Sequence, residues 1–446
     1  MLKNMWYACE FSHAITNKPH KVQLLGQKLV MWRDRKGAVH TLSDLCVHRG
    51  GSLAGGWLTP DDSEIVCPYH GWEYDGTGAC TKIPAHPQRN IPKKARVDSY
   101  PVAEKYGFVF VFMGDLPEDE RPPLPEIPEL DDPKYKKIYG EFSWNVNYER
   151  ATENAMDPSH APFVHGNRFG DPDNPQVPDF EVALTPWSGT ARIPLYPPPG
   201  NPKGTWGRMF RKSTKTAGAR PMVEVRNGFF LPNIVLLYVP LPFGTMILVD
   251  ANVPVGPQQT RSLYISLRDF FKGNWADRDA HKRVKYIFEQ DRVVIEEQRP
   301  ELLPYDLSDE LHVRSDALQV AYRRRRNELI DAGWGIDVHQ IVGDGPRDTA
   351  FVIPSPARRE VPELARAWTH KEVQSWHALG KNEGHAGGES EYETRGEGQA
   401  ERRVRGTPTA KIADLGATDV DEAVAETHID VTTESESADS TKEAQA

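Results

Sequence analysis

Two short stretches hold the residues best suited to metal chemistry. Cys46-Val-His48-Arg-Gly and Cys67-Pro-Tyr-His70-Gly-Trp72 each pair one thiol with one imidazole, and 18 residues separate His48 from Cys67. Two thiolates and two imidazoles delivered by two loops make a four-donor set that a tetrahedral zinc could accept. Zinc fingers, however, pair Cys with Cys and His with His, whereas each loop here contributes one of each. That alternation fits two irons bridged by two sulfides, with the cysteines on one iron and the histidines on the other. Neutral imidazole donates less charge than thiolate. Such a cluster therefore has a higher potential than an all-cysteine ferredoxin and can relay electrons.

A second constellation follows in Glu153-Asn154-Ala-Met-Asp157-Pro-Ser-His160-Ala-Pro-Phe-Val-His165. Asp157 and His160 share one face of a helical turn, and Pro162 bends the chain to bring His165 to the same point. Two histidines and a carboxylate from elsewhere make a facial triad that leaves positions open on Fe(II) for O₂ and substrate. Taken alone, the two histidines also describe an ordinary surface pair. The third ligand is sought among Asp269, Asp277, Asp279 and Asp291. We choose Asp291, because Tyr286 to Gln298 is helix-compatible and Ile287, Phe288, Val294 and Ile295 recur at near-helical spacing, which would face them to the core. An amphipathic helix with a solvated Asp291 is the alternative.

With both motifs in view, the chain resembles the Rieske non-haem iron oxygenases, specifically the oxygenase (α) component of the phthalate, vanillate and dicamba type. The resemblance rests on the two Cys/His loops and on Asn154-x-x-Asp157-x-x-His160-x(4)-His165, and it covers about residues 1–350. The Asp291 segment is similar to the family's Glu-Asp-x-x-x-x-Glu-x-Gln-like stretch, with Gln290 in place of the glutamate. Rieske proteins of respiratory cytochrome bc complexes carry an extra cysteine in each loop. This chain has Arg49 to Gly51 and Tyr69 there, so the pattern is of the oxygenase type.

The resemblance implies a [2Fe–2S] cluster on Cys46, His48, Cys67 and His70, and a mononuclear Fe(II) on His160, His165 and Asp291. It implies Asn154 and Asp157 as further catalytic residues, Asp157 joining His160 of its own chain to His70 of a neighbouring subunit. A carboxylate that accepts from both rings fixes their orientation and couples their protonation to the metals. The simpler alternative is a carboxylate that satisfies local backbone N–H groups. A bridge repeated head to tail closes into a ring, so a homotrimer without a β subunit is expected. Electrons are expected from NAD(P)H through a separate ferredoxin or flavin reductase, since the chain shows no flavin or NAD fingerprint. The implied reaction uses O₂ to hydroxylate, or to O-demethylate, an aromatic or other cyclic small molecule. Aromatic cis-dihydroxylation is the alternative, and a Rieske electron carrier without catalytic iron is the alternative of another class.

These sites need two scaffolds, and 446 residues are enough for both. Val22–Leu25, Lys28–Trp32, Ala38–Leu42 and Phe108–Phe112 read as short strands between breakers. Residues 1–115 are therefore expected to form an all-β domain with the cluster loops at its tip and Trp57, Trp72 and Tyr74 packed around them. Prolines at 117, 122, 123, 125, 128 and 133 mark a connector over 116–133. Residues 134–375 carry strand-like runs at Ile234–Val239, Thr245–Val249 and Ser262–Ser266, with helices expected over 280–299 and 316–331. The resemblance implies a helix-grip catalytic domain there, an antiparallel sheet wrapped on a long helix, and an α+β fold overall. Tyr196 to about residue 219 reads as a long loop over the pocket. The run Arg323–Arg326 reads as a solvated helical face or a docking patch for an acidic ferredoxin. Residues 380–446, rich in Gly, Glu, Ser, Thr and Ala, are expected to be disordered.

Of the net charge of −10, residues 381–446 account for −9, with 16 acidic and 7 basic side chains. The folded body is close to neutral, which argues against nucleic-acid binding. Cys9 and Cys80 are expected to be buried thiols rather than a disulfide, as in a reducing, cytoplasmic setting. No apolar run of about 18 residues and no cationic leader are present, so neither a membrane span nor a signal peptide is expected.

Overall fold

The computed structural model describes residues 1–166, 169–197, 221–343 and 345–376. Most of the expected pocket loop and the whole acidic tail lie outside the described residues. Ten short strands build the N-terminal domain: β1 (Met5–Phe11), β2 (His20–Leu24), β3 (Gln27–Arg33), β4 (Val39–Ser43), β5 (Trp57–Leu58), β6 (Glu64–Val66), β7 (Glu73–Asp75), β8 (Cys80–Lys82), β9 (Val102–Lys105) and β10 (Phe108–Met113). They form antiparallel sheets in the orders β1-β10-β9, β2-β3-β4 and β5-β6-β7-β8. Every residue of β10 is buried, which is why it reads as an unbroken apolar run rather than an alternating one. The same two-sided burial hid β1 from pattern reading. The proline-rich connector makes only single turns at Glu118–Glu120 and Pro128–Leu130, and it anchors Ile127 and Leu130 in the core.

The second domain is an antiparallel sheet closed over helices. Its elements are β11 (Lys136–Trp144), α1 (Tyr148–Met156), α2 (Ala161–Val164), β12 (Val182–Leu184), β13 (Ser188–Leu195), β14 (Val223–Phe230), β15 (Ile234–Leu241), β16 (Gly244–Gly256), β17 (Gln259–Arg268), α3 (Asp277–Ile295) and α4 (Ala317–Leu329). Seven strands pair in the order β11-β17-β16-β15-β14-β13-β12, and α3 lies against β11, the helix-grip arrangement. Asn147 caps α1, its side chain accepting from the Glu149 N–H at 2.9 Å. No described helix is long and apolar enough to cross a membrane.

Three expectations need correction. On α3 the buried stripe is Val284, Phe288, Asp291 and Ile295, while Val294 is 48% exposed. The helical period is right, but its phase places Asp291, not Val294, on the inner face. Trp57 is 55% exposed and does not belong to the packing that encloses Tyr74. Finally, Arg323, Arg325 and Arg326 are buried, so the arginine run is neither a solvated face nor a docking patch. Arg326 donates to Glu149 at 2.8 Å and Arg323 to Glu153 at 2.7 Å, because the acidic pair on α1 and the basic pair on α4 face each other across the core. Glu310 closes the group by pairing with Arg150 at 2.7 Å and with Arg323 at 2.6 Å.

The two domains are tied at several points. Arg261 on β17 donates twice to Glu10 on β1, at 3.0 Å each, and Asn233 donates to the Ala8 carbonyl at 3.0 Å. After α4 the chain returns to the N-terminal domain. Ile353 N–H donates to Gln27, and the Tyr100 hydroxyl donates to the Ile353 carbonyl, both at 2.6 Å. Arg358 forms a two-pronged pair with Asp98, at 2.8 and 2.7 Å, with both side chains removed from water. Breaking one half of a buried pair strands a charge. Arg358→Met is expected to lower the unfolding free energy by about 3–5 kcal/mol in urea titrations, and Asp98→Leu added to it to recover part of the loss.

Candidate metal centres

The two Cys/His loops, between β4 and β5 and between β6 and β7, share one backbone design. In the first, Cys46 N–H donates to the Gly51 carbonyl at 2.9 Å and the Cys46 carbonyl accepts from Gly50 N–H at 2.8 Å. In the second, Cys67 N–H donates to the Trp72 carbonyl at 2.8 Å and the Cys67 carbonyl accepts from Gly71 N–H at 3.0 Å. Gly50 and Gly71 have φ of 68° and 70°, a left-handed turn that glycine takes without strain. Each turn points a thiol inward and an imidazole outward. Cys46 and Cys67 are buried, His48 is half-buried and His70 exposed.

The surroundings suit a cluster. The His48 and His70 rings are 4.5 Å apart, and the Trp72 ring stacks on His48 at 4.6 Å. The Tyr74 hydroxyl lies 3.0 Å from Cys46 Sγ. A Cβ at Gly51 would sit 3.3 Å from Cys67 Sγ, so the sulfur has little room to retreat. Burial pushes the Cys46 thiol up, against the pull of the Tyr74 hydroxyl, so a thiolate here needs a cation's charge. His48 Nδ1 is buried with no hydrogen-bond partner, which leaves a lone pair for a metal. Two inner thiols and two outer imidazoles match the donor set of a [2Fe–2S] centre with mixed ligation. Cys9 and Cys80 are buried free thiols.

The second centre is built by helix ends. α1 stops at Met156, and Asp157 N–H turns back to the Asn154 carbonyl at 3.2 Å. The four-residue α2 then carries His160 at its start and His165 at its end. Their Nε2 atoms are 3.2 Å apart, and Asp291 Oδ1, from the inner face of α3, lies 3.2 Å from His165 Nε2 and 3.5 Å from His160 Nε2. Donors about 2.1 Å from a metal on one octahedral face stand roughly 3 Å apart, so the triangle has the right size. Among the described residues this is the group whose ligand atoms converge for a metal. Asp269 instead accepts from Thr245 N–H at 2.7 Å, Asp277 pairs with Arg268 and Lys136, and Asp279 pairs with Arg283 at 2.6 Å.

The electrostatics of the three groups suit a cation between them. Burial raises Asp291 to about 6, opposed by His160 and by a hydrogen bond from Asn154. Burial, with His160 beside it, lowers His165 to about 4. Burial also pulls His160 down, but Asp157 and Asp291 outweigh it, and its pKa is raised. A dication among the three donors would satisfy the carboxylate and hold both imidazoles neutral. His165 Nδ1 lies 3.3 Å from Gln290 Oε1, and His160 Nδ1 lies 3.7 Å from Asp157 Oδ2. Gln290, the departure from the family pattern, thus faces the side of the His165 ring turned away from His160 and Asp291.

His160 and Asp291 of the triad border a cavity of about 730 Å³, its mouth included. One wall is the inner sheet face, with Ile193, Leu195, Val225, Val235, Leu237 and Leu248; Ile287 and Phe288 of α3 form the other. Sequence reading did not find the polar residues of this wall, Asn227 and Asp250. The local signal for Asp250 was a lone acid inside the apolar run Met246–Val253.

Residues 5–101 match the Rieske [2Fe–2S] domain family, and residues 144–332 match the vanillate O-demethylase oxygenase C-terminal domain family. Chlorophyllide a oxygenase of Chlamydomonas reinhardtii is 38% identical over 185 residues, 40% of this chain but 26% of that longer protein. Methylxanthine N1-demethylase NdmA of Pseudomonas putida is 28% identical over 343 residues, 74% of this chain and 90% of NdmA. The solved structure of NdmA with caffeine superposes with a TM-score of 0.61 at 24% identity, over 74% of this chain and 91% of that one, and shows the common fold. A Rieske domain followed by this C-terminal domain places the chain among the Rieske non-haem iron oxygenases.

Proposed function

We propose that the chain is the oxygenase component of a multicomponent system that hydroxylates a cyclic small molecule. Where the carbon presented is an O- or N-methyl, the same reaction demethylates. The observation that carries this reading is the convergence of His160, His165 and Asp291 beside an apolar cavity whose wall includes His160 and Asp291. Relatives named as methylxanthine, dicamba and steroid oxygenases or demethylases support the reaction class.

In this reading Cys46, Cys67, His48 and His70 hold a [2Fe–2S] cluster, and His160, His165 and Asp291 hold one Fe(II). When bound, the cluster supplies single electrons and the mononuclear iron supplies the place where O₂ is activated. The protein's part is position and exclusion. The triad occupies one face of the metal site and leaves the cavity side for O₂ and substrate, while Leu248, Ile287 and Phe288 keep water from that side. Asn154 steadies Asp291, and Gln290 sets the plane of the His165 ring. His70, on the exposed edge of the cluster site, is open to a neighbouring subunit.

We assign Asp157 the role of spanning two subunits, from His160 of its own chain to His70 of a neighbour. Its 3.7 Å separation from His160 and its partial exposure support this, as does the exposure of His70. Three copies in a ring satisfy every such contact. Electrons come from NAD(P)H through a separate reductase or ferredoxin. Four buried, reduced cysteines support a cytoplasmic setting.

Anaerobically purified protein is expected to contain about three irons and two sulfides per chain with a Rieske-type EPR signal, and His160→Ala to lose one iron alone. Two irons in both proteins would leave an electron carrier, and zinc without sulfide would overturn the reading. Tyr74→Phe removes a hydrogen bond to Cys46 that favours the reduced cluster. A loss of about 0.5–1.5 kcal/mol lowers a one-electron potential by roughly 20–65 mV, measurable by redox titration. Gln290→Leu is expected to weaken Fe(II) binding by about 10–100-fold in chelator competition while leaving the EPR signal of the cluster intact.

A further inference from the structure

Asp250 takes no part in either metal centre, yet it lines the cavity. It sits in the middle of β16, paired with Val235 on one side and Tyr264 on the other, and its side chain is on the same face as Leu248 and Asn252. Only 4% of the residue is exposed. Its Oδ1 is buried with no hydrogen-bond partner. Its Oδ2 lies 3.3 Å from Ser262 Oγ, but that hydroxyl has a single hydrogen and a nearer acceptor, Asn252 Oδ1 at 2.6 Å. Ser262 Oγ in turn accepts from the Trp144 indole N–H at 2.8 Å. The network is therefore complete without Asp250, and its carboxyl is left with no firm donor.

The cavity's other polar groups are committed. Asn227 donates to the Ala155 carbonyl at 2.9 Å and accepts from Gly228 N–H at 2.8 Å, while Asn154, Asp157, His160 and Asp291 belong to the metal site. No Lys or Arg is present among the described lining residues. A buried acid without a partner in an apolar wall is destabilising, and burial accordingly raises Asp250 to about 7. A residue that weakens the empty fold earns its place when a ligand completes it.

We propose that Asp250 is the recognition residue of the cavity, accepting a hydrogen bond from a ring N–H or an O–H of a neutral or cationic cyclic substrate, and that the cavity rejects benzoate-type anions. This names the substrate class within the oxygenase reading and rests on it. Away from the metal site, a ligand carboxylate would meet a like group and no Lys or Arg among the described lining residues, whereas an N–H or O–H donor satisfies the partnerless Asp250 Oδ1.

Calorimetric titration of the iron-replete protein with indole, N-methylindole and benzoate tests it. N-methylation removes the only donor and adds apolar surface, so burial alone would favour the methylated probe. Indole is expected to bind at least about tenfold more tightly than N-methylindole, and benzoate not to bind. Asp250→Leu is expected to abolish the preference, whereas Asp250→Asn, nearly the same shape and still an acceptor, keeps it. Equal affinity of the two indoles, a preference that survives Asp250→Leu, tightest binding by benzoate, or no binding of any probe overturns the proposal. Iron and sulfide are counted on the same samples and the preference is read without turnover. A missing third iron therefore refutes the oxygenase reading, while probe selectivity judges Asp250 separately.

Discussion

The catalytic domain depends on two buried ion pairs. Glu149 and Glu153 point from α1 into the core, where Arg326 and Arg323 of α4 meet them. Arg326 and the nearby N-terminal amine outweigh the burial that acts against Glu149 and hold its carboxyl down to about 2, so it stays charged. Two charged residues on one flank of a nine-residue helix cannot be buried unless their partners arrive in register. That requirement fixes how α1 lies against α4, and hence where its C-terminal end releases Asn154, Asp157 and His160. The convergence of His160 and His165 is a consequence of how these two helices are locked, completed by a third helix that brings Asp291.

The two metal centres use opposite strategies. The Cys/His loops rest on very short strands and hold their shape by repeated backbone hydrogen bonds about Gly50 and Gly71. The design is local, so it can be read from a few consecutive residues. The triad joins groups that lie 126 residues apart, from His165 to Asp291, and only the packing of α3 across the sheet unites them. Its rigidity is borrowed from the whole domain.

That difference explains what the sequence made legible. Candidate ligands show because metal chemistry demands fixed residue types at fixed local spacings, and Cys46, His48, His160 and His165 are each signalled by near neighbours. The fold class followed from strand patterns and from the resemblance. Asp291 was accessible through helical periodicity, although the phase was misjudged: the stripe continues through the acid itself, not through Val294. The arginine run misled because its partners are about 170 residues upstream, and a charge pattern on one helix says nothing of an opposing pattern on another. Asp250 was hidden for a related reason. What makes it notable is the set of neighbours that sheet pairing brings to it, and no local pattern encodes that set.

The return of the chain to its own beginning bears on how the molecule is made. Asp98 is synthesised early, within the first domain, yet the guanidinium that neutralises it comes 260 residues later. Gln27 and Tyr100 likewise wait for Ile353. On a ribosome, the N-terminal domain can form its strands and its cysteine-bearing turns long before these partners leave the exit tunnel, and it carries an unmatched acid until they do. Final closure of the electron-relay domain therefore comes after the oxygen-handling domain has been translated.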